Sequence, residues 1–268
     1  MKEKTEHTFV VLAYKESLYL EDCIFSLKSQ TIKSDILIST STGNKHIRSI
    51  AKKHGIRLCV GSGAGIANDW NNAYALCKTR FLTLAHQDDV YLPTYTEECL
   101  RQMIKGKNLI VFTDYVELLG KKRIRERGIN LIIKRLMLLP FVFRINIENQ
   151  LVKKLMLAFG NPICCPSVLY DLKNIESDFR FDTGLSYDMD WEAWFQLSRD
   201  DGGFVYINKV LMYHRIHRQS ETSRQIDSNN RVEEERLMLR KLWPEWMVEG
   251  LLRLYSISHK ANKRVKND

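Results

Sequence analysis

Two aspartates, Asp88 and Asp89, stand side by side in LTLAHQDDVY (residues 82–91), at the end of a short apolar run. Adjacent carboxylates repel each other, so the pair costs stability unless a cation or a donor-rich ligand compensates. A solvated turn after a strand is the ordinary alternative, because Asp is a common turn residue. A second acidic group, Asp188, Asp190 and Glu192, lies in SYDMDWEAWFQL among Trp191, Trp194 and Phe195. On a helix these aromatics at i, i+3 and i+4 share a core-facing stripe, which leaves Asp188 and Asp190 at or near the N-terminus. There they either complement the helix dipole or supply a general base at the mouth of a pocket. A third stretch, YHRIHRQSETS (213–223), concentrates His214, Arg215, His217, Arg218, Ser220, Thr222 and Ser223. That density of donors suits a diphosphate, with or without a metal ion, or else an ordinary polar loop. GSGAGI (61–66) invites a dinucleotide-binding reading, but it follows the third strand and its sixth position is Ile66, not Gly. The glycines fit a tight loop near a ligand better.

The elements that must position these groups alternate. FVVLA (9–13), DILIST (35–40), IRLCV (56–60), RFLTLA (80–85) and NLIVFT (108–113) have strand length and composition. Between them, Leu20, Cys23, Ile24 and Leu27 have helical spacing, as do Ile47, Ile50 and Ala51 ahead of Gly55. Ala67, Trp70, Tyr74 and Cys77 mark a third helix, and LPTYTEECLRQMI a fourth with Pro93 in its first turn. Alternation of this kind predicts right-handed βαβ units and a mostly parallel α/β sheet flanked by helices. Ligands of such sheets bind beyond the carboxyl ends of the strands, where Asp88 and Asp89 fall. The turn reading weakens accordingly.

At 268 residues, 44% apolar and 27% charged, the chain reads as one globular domain with an elaborated C-terminal part. Six cysteines without a CxxC pair support neither a zinc site nor a disulfide framework and predict a cytoplasmic location. MKEKTEHTFVVLAY shows no signal-peptide pattern, and the longest apolar run, LMLLPFVF (136–143), is too short to span a bilayer. Of the net charge of +9, residues 121–154 hold +8, with ten Lys/Arg against Glu126 and Glu148. The block lacks the regular aromatic interleave that stacks bases, so no nucleic-acid partner is expected.

With these motifs in order, the sequence resembles the family 2 glycosyltransferases of GT-A fold, mainly bacterial enzymes that build surface polysaccharides or glycans. VVLAYKESLYLEDCIFSLKSQT is similar to the family's opening strand and helix. GIANDWNNAYALCKTRFLTLAHQDDVY is similar to its GxxxARNxG to DxDD segment, with Gly65, Asn71, Asp88 and Asp89 in register. FDTGLSYDMDWEAWFQLS is similar to its ED-containing helix, and LMYHRIHRQSETS to its closing strand. The likeness covers most of residues 8–223.

The resemblance implies a GT-A (Rossmann-like) sheet with a helical and mixed C-terminal acceptor region. It also implies an inverting single displacement from a UDP- or dTDP-sugar with Mn²⁺ or Mg²⁺. Asp190 would be the base that deprotonates the acceptor. Ala13, Tyr14, Glu16, Thr40, Ser41, Asn71, Asp88 and Arg215 would contact the donor. Asp89, Asp88 and His217 would hold the metal. The chain departs from the pattern at His86, which replaces the first Asp of DxDD. ILISTSTGN replaces VDDGS, which leaves base reading to Thr40 or Ser41 or to a different way of holding the base. Met189 replaces the Glu of ED, Trp70 replaces the Arg before Asn71, and the processive QxxRW motif is absent. Transfer of one hexose per encounter is expected. The implied layout is a nucleotide-sugar half (1–114), a basic amphipathic helical insertion (115–160), an acceptor half (161–225) and a C-terminal helical extension (226–268). The partners to expect are the donor, a lipid-linked or protein-linked glycan acceptor, an anionic membrane surface under the basic block, and a second copy in a homo-oligomer. A nucleotidyltransferase is the rival enzyme, but LAYKES is not its glycine- and lysine-rich phosphate loop. A non-catalytic sugar- or phosphate-binding module is the rival from another class.

Overall fold

A computed structural model of the protein describes residues 5–119, 123–125, 128–217 and 229–253. Its N-terminal part follows the alternation seen in the sequence. Strand β1 (His7–Leu12) leads to α1 (Leu20–Lys28), β2 (Asp35–Thr40), α2 (Lys45–His54), β3 (Arg57–Val60), α3 (Ile66–Leu76) and β4 (Phe81–His86). These four strands are parallel, in the order β3-β2-β1-β4. Their local signals are strong. Asn44 caps α2 by accepting from the Ile47 N–H at 2.9 Å, and Gly55 ends that helix at a φ of 62°, in the left-handed region that glycine tolerates. Gly65 starts α3 at a φ of 98°, a conformation in which a larger residue is strained.

Beyond β4 come β5 (Val90–Tyr91), α4 (Tyr95–Met103) and β6 (Asn108–Leu119). Pro93 sits just before the Thr94 cap rather than in the first turn of α4. The fifth expected strand runs on to Leu119, past the boundary placed at 114. It then turns back as β7 (Arg123–Arg125), so the basic insertion begins as a hairpin and only later becomes helical. The helices are α5 (Ile129–Met137), α6 (Pro140–Phe143) and α7 (Gln150–Leu157), with the short β8 (Asn146–Ile147) between the last two. Next, β9 (Val168–Asp171) inserts antiparallel between β4 and β6. The chain continues through α8 (Met189–Leu197), β10 (Gly203–Ile216) and α9 (Asn229–Arg240). The sheet order is β3-β2-β1-β4-β9-β6-β10-β5, with β7 on β6 and β8 on β10.

Alternate side chains of the strands enter opposite cores. Phe9, Val11 and Ala85 pack with α1, α2 and α4, whereas Val10, Leu82 and Leu84 pack with α3 and α8. Trp191 and Trp194 are buried in the second layer, as their helical spacing required, while Phe195 is half-buried. The α8 helix is therefore fixed against the sheet along its length, and its N-terminus is held at the sheet's edge.

Candidate active site

The fourth strand ends at His86, and the chain turns at once, with the Asp89 N–H donating to the His86 carbonyl at 3.2 Å. Strand β5 then pairs antiparallel with β10, Tyr91 against Met212 and Val90 against Tyr213. That register draws residues 214–217 alongside the aspartate pair. The Arg215 N–H donates to Asp89 Oδ1 at 2.9 Å, and His214 Nδ1 lies 3.1 Å from the same oxygen. His217 Nε2 lies 2.9 Å from Asp88 Oδ2. The two carboxylates thus share a small volume because β10 and His217, the residue after it, supply compensating partners to both.

Their electrostatics follow. Burial pushes the Asp88 carboxyl up, but the His217 hydrogen bond and the nearby His86 and His214 rings outweigh it, and the group settles below the usual range. Burial pushes His214 down, and the charge and hydrogen bond of Asp89, with Asp88 behind, more than reverse that. Asp89 is fully buried, and its Oδ2 meets no hydrogen-bond partner among the described residues. A buried, orphaned carboxylate oxygen beside a second carboxylate and an imidazole is a donor set that fits Mn²⁺ or Mg²⁺. Among the described residues no three His, Cys, Asp or Glu side chains form a metal cage by themselves. Such a cation would complete its shell with phosphate oxygens and water, as Mg²⁺ commonly does.

Arg215, expected on the donor, lies behind the aspartates instead. Its side chain is 2% exposed, its Nε donates to the Asp88 carbonyl at 2.7 Å, and its guanidinium lies over the Tyr19 ring and 3.3 Å from Asp22. Burial on that scale gives it the task of holding the turn. Asn71 is likewise committed: its side-chain amide exchanges two 2.8 Å hydrogen bonds with the Phe181 backbone, tying α3 to the segment before α8. Arg218, Ser220, Thr222 and Ser223 lie outside the described residues.

The remaining donor candidates line the same edge of the sheet. Gln87 brackets Tyr14 by donating to its carbonyl at 3.0 Å and accepting from its N–H at 3.1 Å, which ties the loops after β1 and β4 together. Tyr14 and Glu16 are exposed there, and Ala13 is buried with its N–H on the Ser39 carbonyl. At the end of β2, Thr40 is buried and accepts from the Thr42 N–H. Ser41 donates to Asp69 Oδ2 at 2.9 Å.

Across from the pair stands α8. Asp190 is half-buried, with Oδ1 accepting from the Trp191 N–H at 2.8 Å. Burial raises its pKa, against the opposing pull of Lys134, the Trp191 N–H, Asn161 and His86. Burial lowers the His86 pKa, against the opposing pull of Asp89, Asp88 and Asp190. His86 is therefore within electrostatic reach of both the aspartate pair and Asp190. Lys134 belongs to α5, and nothing in its neighbourhood in sequence announced a role beside Asp190. Asp188, at the cap of α8, is pushed far up by burial and by Glu235 and Asp190.

The start of α8 is held from α9. Glu234 accepts from the N–H groups of Ser186, Tyr187 and Asp188 at 2.7–3.0 Å, and Lys241 pairs with Glu192. No sequence signal pointed to Glu234, because the donors it satisfies are backbone groups more than forty residues away.

Solved glycosyltransferase structures share this architecture. TarS of S. aureus (residues 1–349) superposes with a TM-score of 0.61 at 13% identity, over 92% of this chain and 69% of that one. The mannosyltransferase PcManGT of Pyrobaculum calidifontis, solved with GDP-Man and Mn²⁺, gives 0.61 at 12% identity, over 90% and 64%. Glucosyl-3-phosphoglycerate synthase of Mycobacterium tuberculosis, solved with Mn²⁺ and UDP-glucose, gives 0.55 at 14%, over 83% and 76%. Identities this low establish the fold, which is that of the GT-A glycosyltransferases. The chain itself belongs to glycosyl transferase family 2, whose model matches residues 8–167. No curated protein sequence matches it. The resemblance read from the motifs is borne out at the level of family, fold and enzyme class.

Proposed function

We propose that this glycosyltransferase moves a single hexose, with inversion, from a UDP- or dTDP-sugar to a hydroxyl of a cell-surface glycan. It would act in the cytoplasm with Mn²⁺ or Mg²⁺. The observation that carries the reading is the division of labour among three carboxylates. Asp89 accepts from the Arg215 N–H and Asp88 faces His217, which with the nearby imidazoles lowers the Asp88 pKa, while Asp190 is pushed up by burial on α8.

In the reaction Asp190 takes the proton of the acceptor hydroxyl as its oxygen attacks the anomeric carbon. The bond from that carbon to the diphosphate oxygen breaks as the new one forms, and the nucleoside diphosphate departs. A base with a raised pKa is better matched to that proton. Lys134 adds positive charge beside Asp190, where acceptor and departing diphosphate meet. Asp89, Asp88 and His217 would hold the cation, which supplies Lewis-acid neutralisation of the leaving group. Arg215 and His214 keep both aspartates in place. Tyr14, Glu16, Thr40 and Ser41 would offer the donor's contacts, since they lie at or just past the carboxyl ends of β1 and β2, as the aspartates do for β4.

Release of free sugar and nucleoside diphosphate from a panel of nucleotide sugars tests this directly. Turnover of at least one donor is expected with Mn²⁺ or Mg²⁺ present and none with a chelator. Equal turnover in both conditions would remove the metal from the mechanism, and turnover of no donor would count against the whole reading.

A further inference from the structure

The insertion between β6 and β9 exposes apolar surface on a scale unmatched elsewhere among the described residues. Ten of the nineteen exposed large apolar side chains among the described residues fall between Ile132 and Phe159. Helix α5 turns Ile132, Ile133 and Leu136 outward while Leu131 and Leu138 are buried. The tip of α6 is barer still, with Val142 69% and Phe143 88% exposed. Helix α7 repeats the pattern with Leu151 and Leu155, one helical turn apart. Between α6 and α7 an open groove of about 840 Å³ is lined by Phe143, Arg144, Ile145 and Val152 among others. Scattered exposed apolar residues need no explanation, but a concentration of them marks an interaction surface.

Charge decides the partner. The stretch 121–154 carries a net +8 in the sequence, and Arg144 is exposed beside Phe143. A second copy docked isologously about Phe143 would set Arg144 of one copy against Arg144 of the other. A bilayer with anionic headgroups accepts both features, burying the apolar tips and attracting the cations. No helix among the described residues is long and apolar enough to cross a membrane, so the mode is one of lying on the surface.

We propose that the α5–α7 surface docks on an anionic lipid bilayer and so presents a lipid-borne acceptor to Asp190. The second clause rests on the transferase reading. Helix α5 links the two events, because it exposes Ile132, Ile133 and Leu136 while its Lys134 acts on Asp190. Docking therefore orients the site as well as anchoring it, and an acceptor held in the same bilayer needs no long tether.

Co-sedimentation of the full chain with phosphatidylcholine vesicles, with and without phosphatidylglycerol, tests the surface without any donor. Binding is expected to the anionic vesicles alone and to weaken at high salt. The paired change Val142→Asp, Phe143→Asp should weaken it by at least about tenfold. Arg144→Glu should weaken it by about fivefold or more. All three side chains are exposed, so the variants should keep the wild-type melting temperature and donor hydrolysis. Absence of binding to either vesicle type overturns the proposal. So does a dimer, seen by sedimentation velocity, that the paired change dissolves. Vesicle binding without donor turnover would leave docking standing and defeat the transferase reading instead, so the two failures are separable.

Discussion

The aspartate pair after β4 and the single aspartate on α8 are the same chemical group in opposite conditions. Asp88 and Asp89 face partners from β10 and His217, the residue after it, and the charged form of Asp88 is favoured. Asp190 has one local backbone donor and a burial cost that favours its neutral form. When carboxylates in one cleft are driven apart in this way, one set holds charge while the other exchanges protons. A strand running alongside the first group and a helix terminus carrying the second are enough to create the difference.

The largest expected effect comes from the charge-holding side. Asp89→Asn should abolish metal-dependent donor turnover, while the apo protein keeps its fold because carboxylate repulsion has been relieved. If the variant turned over donor at the wild-type rate with chelator present, the two regions would not differ as described. On the proton-exchanging side, Asp190→Asn should lower kcat for transfer by about two to four orders of magnitude with donor affinity intact. A variant that instead lost donor affinity would make Asp190 a structural residue.

The comparison also predicts stability changes of opposite sign, measured at neutral pH with chelator. For Asp190 the folded-state pKa is raised above the ordinary 3.8. The stability this gives is present below 3.8 and lost as pH climbs through the folded value, so at neutral pH the charge costs stability. Asp190→Asn removes that cost and should raise the melting temperature. For Asp88 the pKa is lowered, and its stabilisation is present above 3.8 and lost in acid. Asp88→Asn should therefore lower the melting temperature at neutral pH. Shifts of the same sign in both variants would break the contrast. The smallest expected effect belongs to Lys134, which holds the Asp190 pKa down. With Lys134→Met the acid limb of the kcat–pH profile should move to higher pH, and an unmoved limb would separate Lys134 from the base.

What was legible in the sequence was local. Helix α2 could be bounded because Asn44 and Gly55 carry their own capping chemistry. The pair at 88–89 could be placed because four strands preceded it in regular alternation. Strand β9 could not be read, since four residues, VLYD, gain their meaning only from pairing with β4 and β6 on either side. The roles around Asp190 were hidden for the same reason: Lys134, Asn161 and His86 arrive from three separate elements. Arg215 shows the converse case. Its position in the motif suggested contact with the donor, and only its burial reveals that it holds the turn from behind.

The hold of Glu234 on the backbone of residues 186–188 also has a consequence during synthesis. A ribosome that has delivered the chain through β10 has supplied the aspartate pair together with its Arg215 and histidine supports. The segment leading into the Asp190 helix still lacks its carboxylate partner, and three N–H groups face water or nothing. Those donors are satisfied only when α9 emerges and folds back. The aspartate pair is therefore complete before the start of the Asp190 helix is, and the latter waits for α9 to fold back.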